Sequence, residues 1–148
     1  MAVRRRYLNR AMHDSKYNKI ETYDNVCIYC GNQANVLDHV PPVSCAQLYK
    51  SGHIRVPACK SCNKHLYNLD IPRINDRKKY LLEKFLKKYK KHLDMPKWHD
   101  DEIDELEGDI KKFVKDGIRI KKAIIKRLSF LSDNKTQTNY DITHPVPY

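Results

Sequence analysis

The sequence predicts an α+β protein in which a small cysteine-braced segment with two brief strands and a helix precedes a mainly α-helical C-terminal region. Three observations carry this expectation. Two Cys-x-x-Cys pairs, Cys27/Cys30 and Cys59/Cys62, bracket a stretch that holds Gly31, Pro41, Pro42, Gly52 and Pro57. Beyond Asn75 the apolar residues recur at close to the 3.6-residue period of an amphipathic helix. Glycine is scarce, at 4 of 148 residues, while Leu, Lys, Ile and Glu are plentiful, which favours helix over sheet.

Residues 1–24 form a basic polar arm in which Arg4, Arg5, Arg6, Arg10, Lys16 and Lys19 alternate with Tyr7, Tyr17 and Tyr23, with a weak helical pattern around Tyr7–His13. Residues 25–71 form the cysteine module. Short apolar runs at Val36–Val40 and His53–Val56 read as strands, and Val43–Lys50 between them as a helical turn or short helix. After Cys59 the stretch SCNKHLYNL has no breaker and places Leu66 and Leu69 three apart, so a helix begins there. Residues 75–131 form the helical region. Asn75 or Asp76 is expected to cap a first helix whose apolar stripe includes Tyr80, Leu81, Phe85, Leu86, Tyr89 and Leu93. Its opposite face carries Lys78, Lys79, Lys84, Lys87, Lys88, Lys90 and Lys91, and Pro96 closes it. A second helix is expected from Asp100, with acids in its first turns and Lys111, Lys112 and Lys115 at its end, as the helix dipole favours. Gly117 reads as a break before a third helix carrying Ile118, Ala123, Ile124, Ile125, Leu128 and Leu131. Residues 132–148 form a polar tail without a period.

Composition narrows the function. The formal net charge is +11, concentrated in the arm at 4–19 and the run at 77–91. Such a surplus points to a polyanion partner, above all nucleic acid, against the plainer reading of a basic surface kept for solubility. No apolar run approaches the roughly 18 residues of a membrane span. The basic N-terminus lacks the apolar stretch of a signal peptide, so an intracellular location is expected, cytoplasmic or inside a host for a phage-encoded chain.

The spacing of the cysteines points to metal rather than disulfides in an intracellular chain. Two intervening residues let each knuckle aim both thiolates at one ion, and two knuckles complete the tetrahedral sulfur set that zinc prefers in closed, structural sites. A redox pair or unconnected thiols are the competing readings. Cys45 has no spaced partner and reads as a small buried apolar residue.

Inside the cysteine frame stands LDHVPP, Leu37 to Pro42, and directly after the last cysteine come Asn63, Lys64 and His65. Alternation sends Asp38 and His39 to opposite sides of a regular strand, so both serve one pocket only if the backbone bends; the two prolines make a bend the expectation. Asp38 then binds a hard divalent cation such as magnesium, Asn63 supplies a second oxygen, and His39 deprotonates water near neutral pH.

CIYCG, LDHVPP and RVPACKSCN together resemble the HNH, or ββα-metal, nuclease family in its four-cysteine zinc version. The resemblance covers roughly Val26 to Leu69. It implies two strands and a helix around one catalytic divalent ion, magnesium or another, beside a structural zinc. By resemblance Asp38 is the metal-binding acid and His39 the general base, and Asn63 is similar to the metal-binding or positioning residue of endonuclease VII-type junction resolvases. Many members place an Asn before the third cysteine; here GHIRVPAC offers Gly52 and His53, so His53 is the available substitute. The last position stays open between Asn63 and His65 or Tyr67.

The implied function is a metal-dependent endonuclease that hydrolyses DNA phosphodiesters by nicking, homing, restriction or junction resolution. Arg4, Arg5, Arg6, Lys64, Lys84, Lys87, Lys88 and Lys91 are the candidate phosphate contacts. A homodimer is open by analogy with junction-resolving relatives. The alternatives are a non-catalytic zinc module that binds nucleic acid and a zinc adaptor for an acidic protein.

Overall fold

Proline and glycine punctuation divides the first seventy residues into short pieces, and in the computed structural model no strand among the described residues exceeds five residues. The structure describes residues 16–20, 23–133 and 146–148. Arg4, Arg5, Arg6 and the pattern at Tyr7–His13 lie outside the described residues, as does most of the tail. Strand β1 (Asn18–Lys19) is followed by a 3-10 turn (Tyr23–Asn25), β2 (Val36–Val40), a 3-10 helix (Val43–Leu48), β3 (Tyr49–Ser51) and β4 (Ile54–Ala58). Helices α1 (Lys60–Leu66), α2 (Ile74–Lys88), α3 (Lys90–Leu93), α4 (Asp100–Asp104) and α5 (Gly108–Ser132) come next, and β5 (Val146–Pro147) closes the chain.

Strand β4 is central in a three-stranded sheet, antiparallel to β2 and parallel to β1. Val36, Asp38 and Val40 pair with Ala58, Val56 and Ile54, and these residues form the inner face. Leu37 and His39 pair with Pro57 and Arg55 on the outer face. Pro57 fits inside β4 because its carbonyl accepts from Ile28 N–H, at 3.0 Å, on the side away from β2, so its missing N–H interrupts no β2 bond. A second, two-stranded sheet pairs β3 with β5.

One core joins the sheet to the helices. Val40, Ile54, Val56 and Ala58 meet Leu66 of α1, Ile74, Leu81 and Phe85 of α2, and Ile124, Leu128 and Leu131 of α5. Helix α2 starts at Ile74 behind Arg73, which makes no side-chain cap bond, rather than behind a capping Asn75 or Asp76. Lys78, expected on the solvated face, is buried instead. Gly117 does not break the chain. The interruption falls between α4 and Gly108, whose φ of +57° starts α5, and α5 then runs unbroken through Gly117. Met95 explains the tolerance, since its terminal methyl would stand 2.5 Å from a Cβ at position 117 and occupies the space a side chain would take. Cys45 is half-buried beside Ser44 rather than fully enclosed.

Candidate metal centre

The first knuckle is a tight turn. Cys27 N–H donates to Asn32 O at 2.6 Å and Gly31 N–H to Cys27 O at 2.9 Å, while Val26 bridges Gln33. Gly31 has φ +71°, and a Cβ there would lie 2.6 Å from the Phe130 ring, so both backbone and packing call for glycine. The second knuckle straddles the end of β4 and the start of α1. Cys59 is the N-cap of α1, and its sulfur accepts from Cys62 N–H at 3.4 Å. The Ile28–Pro57 bond holds the two knuckles against each other.

The four sulfurs lie within 4.8 Å of one another, all buried, with Cys30 and Cys59 at 3.7 Å. Sulfurs held 2.3 Å from a tetrahedral ion stand about 3.8 Å apart, so the geometry and the soft donors fit a closed metal site. Packing four thiols together also splits their acidity. Sulfur–sulfur hydrogen bonding, led by Cys27, pulls Cys59 down; the Cys27–Cys30 contact pulls Cys30 down and pushes Cys27 up, and Cys62 is pushed up in turn. A dication favours the thiolate at all four positions and removes that competition.

The expected bend between Asp38 and His39 is absent. The β2–β4 register is continuous through Asp38↔Val56 and His39↔Arg55, so the two side chains leave opposite faces. Asp38 turns inward, where it accepts from Tyr29 Oη at 2.5 Å and from Arg77 Nη1 at 2.6 Å. Arg77, fully buried, also donates to Ile71 O at 2.6 Å and to His39 O at 3.4 Å. Burial works against the guanidinium's charge, but Tyr29 and Asp38 outweigh it and raise its pKa. His39 lies half-buried on the outer face, its ring edge-on to Tyr17 at 4.8 Å.

The remaining candidates make contacts of their own. Asn63 is half-buried in the first turn of α1, its N–H on Cys59 O at 3.0 Å. His53 is buried, its Nε2 2.9 Å from Ala46 O and its ring 5.1 Å from Tyr17, so its polar contact is to backbone. His65 meets Phe85 edge-on at 5.2 Å, and burial first, then the cations around it, lower its pKa. Lys64, Lys84, Lys87, Lys88 and Lys91 are exposed. Sequence reasoning missed Tyr29, Arg77, Lys78 and Arg127. Arg127 donates to Tyr89 Oη at 3.0 Å and to the Cys59 and Cys62 sulfurs at 3.7 and 3.5 Å.

Fold and site thus define an α+β protein with a four-cysteine metal-site geometry at the junction of its sheet and helices. No family model matches the chain, and neither a curated protein nor a solved structure matches it. No helix among the described residues is long and apolar enough to cross a membrane.

Proposed function

We propose that this chain is a metal-dependent endonuclease acting on DNA, with zinc as the occupant of the cysteine site and His39 as the general base. The observation that carries the reading is the setting of His39. It is a half-buried imidazole on an antiparallel strand pair that runs directly into a helix, with cysteines holding the ends, and its ring is steadied by Tyr17. Arg55 lies cross-strand from it on the same face, a cation suited to a phosphate. In this reading His39 takes the proton of a water that attacks phosphorus, and Asn63 and Asp38 hold magnesium or another divalent ion. Such an ion stabilises charge on the phosphate and leaving oxygen. Asp38 reaches that role only by giving up its bonds to Tyr29 and Arg77 and turning from the inner face to the face of His39, so the reading requires β2 to rearrange there.

The Asp38–Arg77 ion pair favours a second reading, a zinc-braced module that binds nucleic acid without cutting it. Incubating the protein with linear, supercoiled and four-way-junction DNA, with magnesium or with EDTA, separates the two. Magnesium-dependent cleavage that His39→Ala abolishes, with zinc content unchanged, supports the nuclease. Salt-sensitive binding without cleavage replaces it by the binding module, and cleavage retained in His39→Ala removes His39 from the mechanism.

A further inference from the structure

Arg127 and Lys78 are charged residues that the nuclease reading does not use, and they are 8% and 2% exposed. Burying a cation is costly unless an anion or strong hydrogen bonds offset it. Among the described residues no carboxylate pairs with Arg127. Its guanidinium lies 4.0 Å over the Phe85 ring, one arm donates to Tyr89 Oη, and the other points at the sulfurs of Cys59 and Cys62. Four thiolates around a dication leave two negative charges uncompensated, and they are the nearest candidates to balance this buried cation.

We propose that Arg127 is part of the metal centre, donating hydrogen bonds to the two sulfurs of the second knuckle and neutralising thiolate charge, so that metal and α5 hold each other in place. The proposal rests on the reading of the four cysteines as a zinc site. Lys78 adds a second cation from α2. Its ammonium donates to Asp133 O and lies 5.1 Å from the Phe130 ring, the same ring that covers Gly31 of the first knuckle. Burial disfavours charge on Lys78, while Asp133 and Cys27 favour it. The last two turns of α5 therefore touch both knuckles, through Arg127 on one and Phe130 on the other.

The test uses the zinc-loaded full chain in competition with a chromophoric zinc chelator. Outer partners of metal ligands are worth roughly 10–100-fold in affinity, so Arg127→Gln is expected to weaken zinc binding by that factor. Arg127→Lys keeps the charge but loses the fork, and is expected to fall between Arg127→Gln and wild type. Phe113→Ala, on the exposed half of the same helix, serves as the control and is expected to leave affinity unchanged. Cobalt substitution supplies a readout that packing alone does not move. Loss of N–H···S bonds raises electron density on sulfur and shifts the thiolate-to-cobalt charge-transfer band in both Arg127 variants. Zinc affinity of Arg127→Gln within about twofold of wild type, with an unshifted cobalt band, overturns the proposal. If Arg127→Gln fails to fold, an unshifted band in Arg127→Lys overturns it equally. Wild-type protein that binds neither zinc nor cobalt overturns the metal reading itself, an outcome distinct from a normal metal site indifferent to Arg127.

Discussion

Asp38 and Arg77 form a buried pair whose side chains are 8% and 0% exposed, bridging β2 to α2. Removing one partner strands the other charge, so Arg77→Ala is expected to lower unfolding free energy by about 3–5 kcal/mol. Asp38→Asn combined with Arg77→Met should cost less than the sum of the single changes, and a double-mutant cycle in urea measures the difference. Arg77 was legible in a way that composition obscures. Ile74, Arg77, Lys78, Leu81 and Phe85 are the buried residues of α2 and lie on one helical stripe, so two cations occupy positions in phase with the core. Counting them by charge placed Lys78 on the solvated face; reading them by phase would have placed both inside. Tyr49 supplies a pH test. Burial first, then its bond to Asp70 at 2.7 Å, raises its pKa to about 12. The unfolded phenol ionises near 10, so the folded state holds a proton that the unfolded state loses. The contribution of Tyr49 to stability should therefore be full below about pH 10 and decline from there towards pH 12, and Tyr49→Phe should make the decline of the thermal midpoint over that range shallower.

Two glycines show how an element tolerates or forbids a side chain. Gly31 combines a left-handed backbone with the face of the Phe130 ring, and Gly31→Ala is expected to destabilise by about 2–4 kcal/mol, adding backbone strain to overpacking. Gly117 has ordinary helical backbone and meets only the flexible end of Met95. There the gain of up to about 1 kcal/mol from alanine's helix propensity offsets the displacement of a methyl. Gly117→Ala is expected to stay within about 1 kcal/mol of wild type in the same urea experiment. This contrast also explains why Gly117 misled as a helix boundary: glycine's local preference is weak, and contact with Met95 decides. The strand Val36–Val40 was legible because Pro41 and Pro42 close it and apolar residues fill it. The bend expected inside it does not form, because the partner strand β4 holds Asp38 and His39 in continuous register and the prolines act only past its end. The cysteine cluster was legible from spacing alone, since two knuckles leave little freedom in where the sulfurs go.

At the scale of the whole molecule, the positive surplus of +11 concerns a phosphate partner only if it makes binding depend on salt. On the nucleic-acid reading, log affinity falls linearly with log salt concentration, by about 0.9 for each phosphate contact. Lys84, Lys87, Lys88 and Lys91 are exposed, and replacing them with glutamine should flatten that slope by about 0.9 for each one that contacts phosphate. Unchanged slope in a fluorescence-anisotropy titration would remove this face from the interface. The same face seen as sequence carries no such information, because a solvated lysine and a phosphate-binding lysine follow the same helical pattern.

Helix α5 imposes an order on assembly. Arg127 reaches Cys59 and Cys62 across 68 and 65 residues of chain. During synthesis both knuckles emerge well before the turns that cover them, so the sulfur cluster remains uncapped while α2 to α5 are made. For that interval it is most open to oxidation and to capture of a wrong metal. Arrival of α5 then covers the site, which makes synthesis of that helix the event that seals the cysteines.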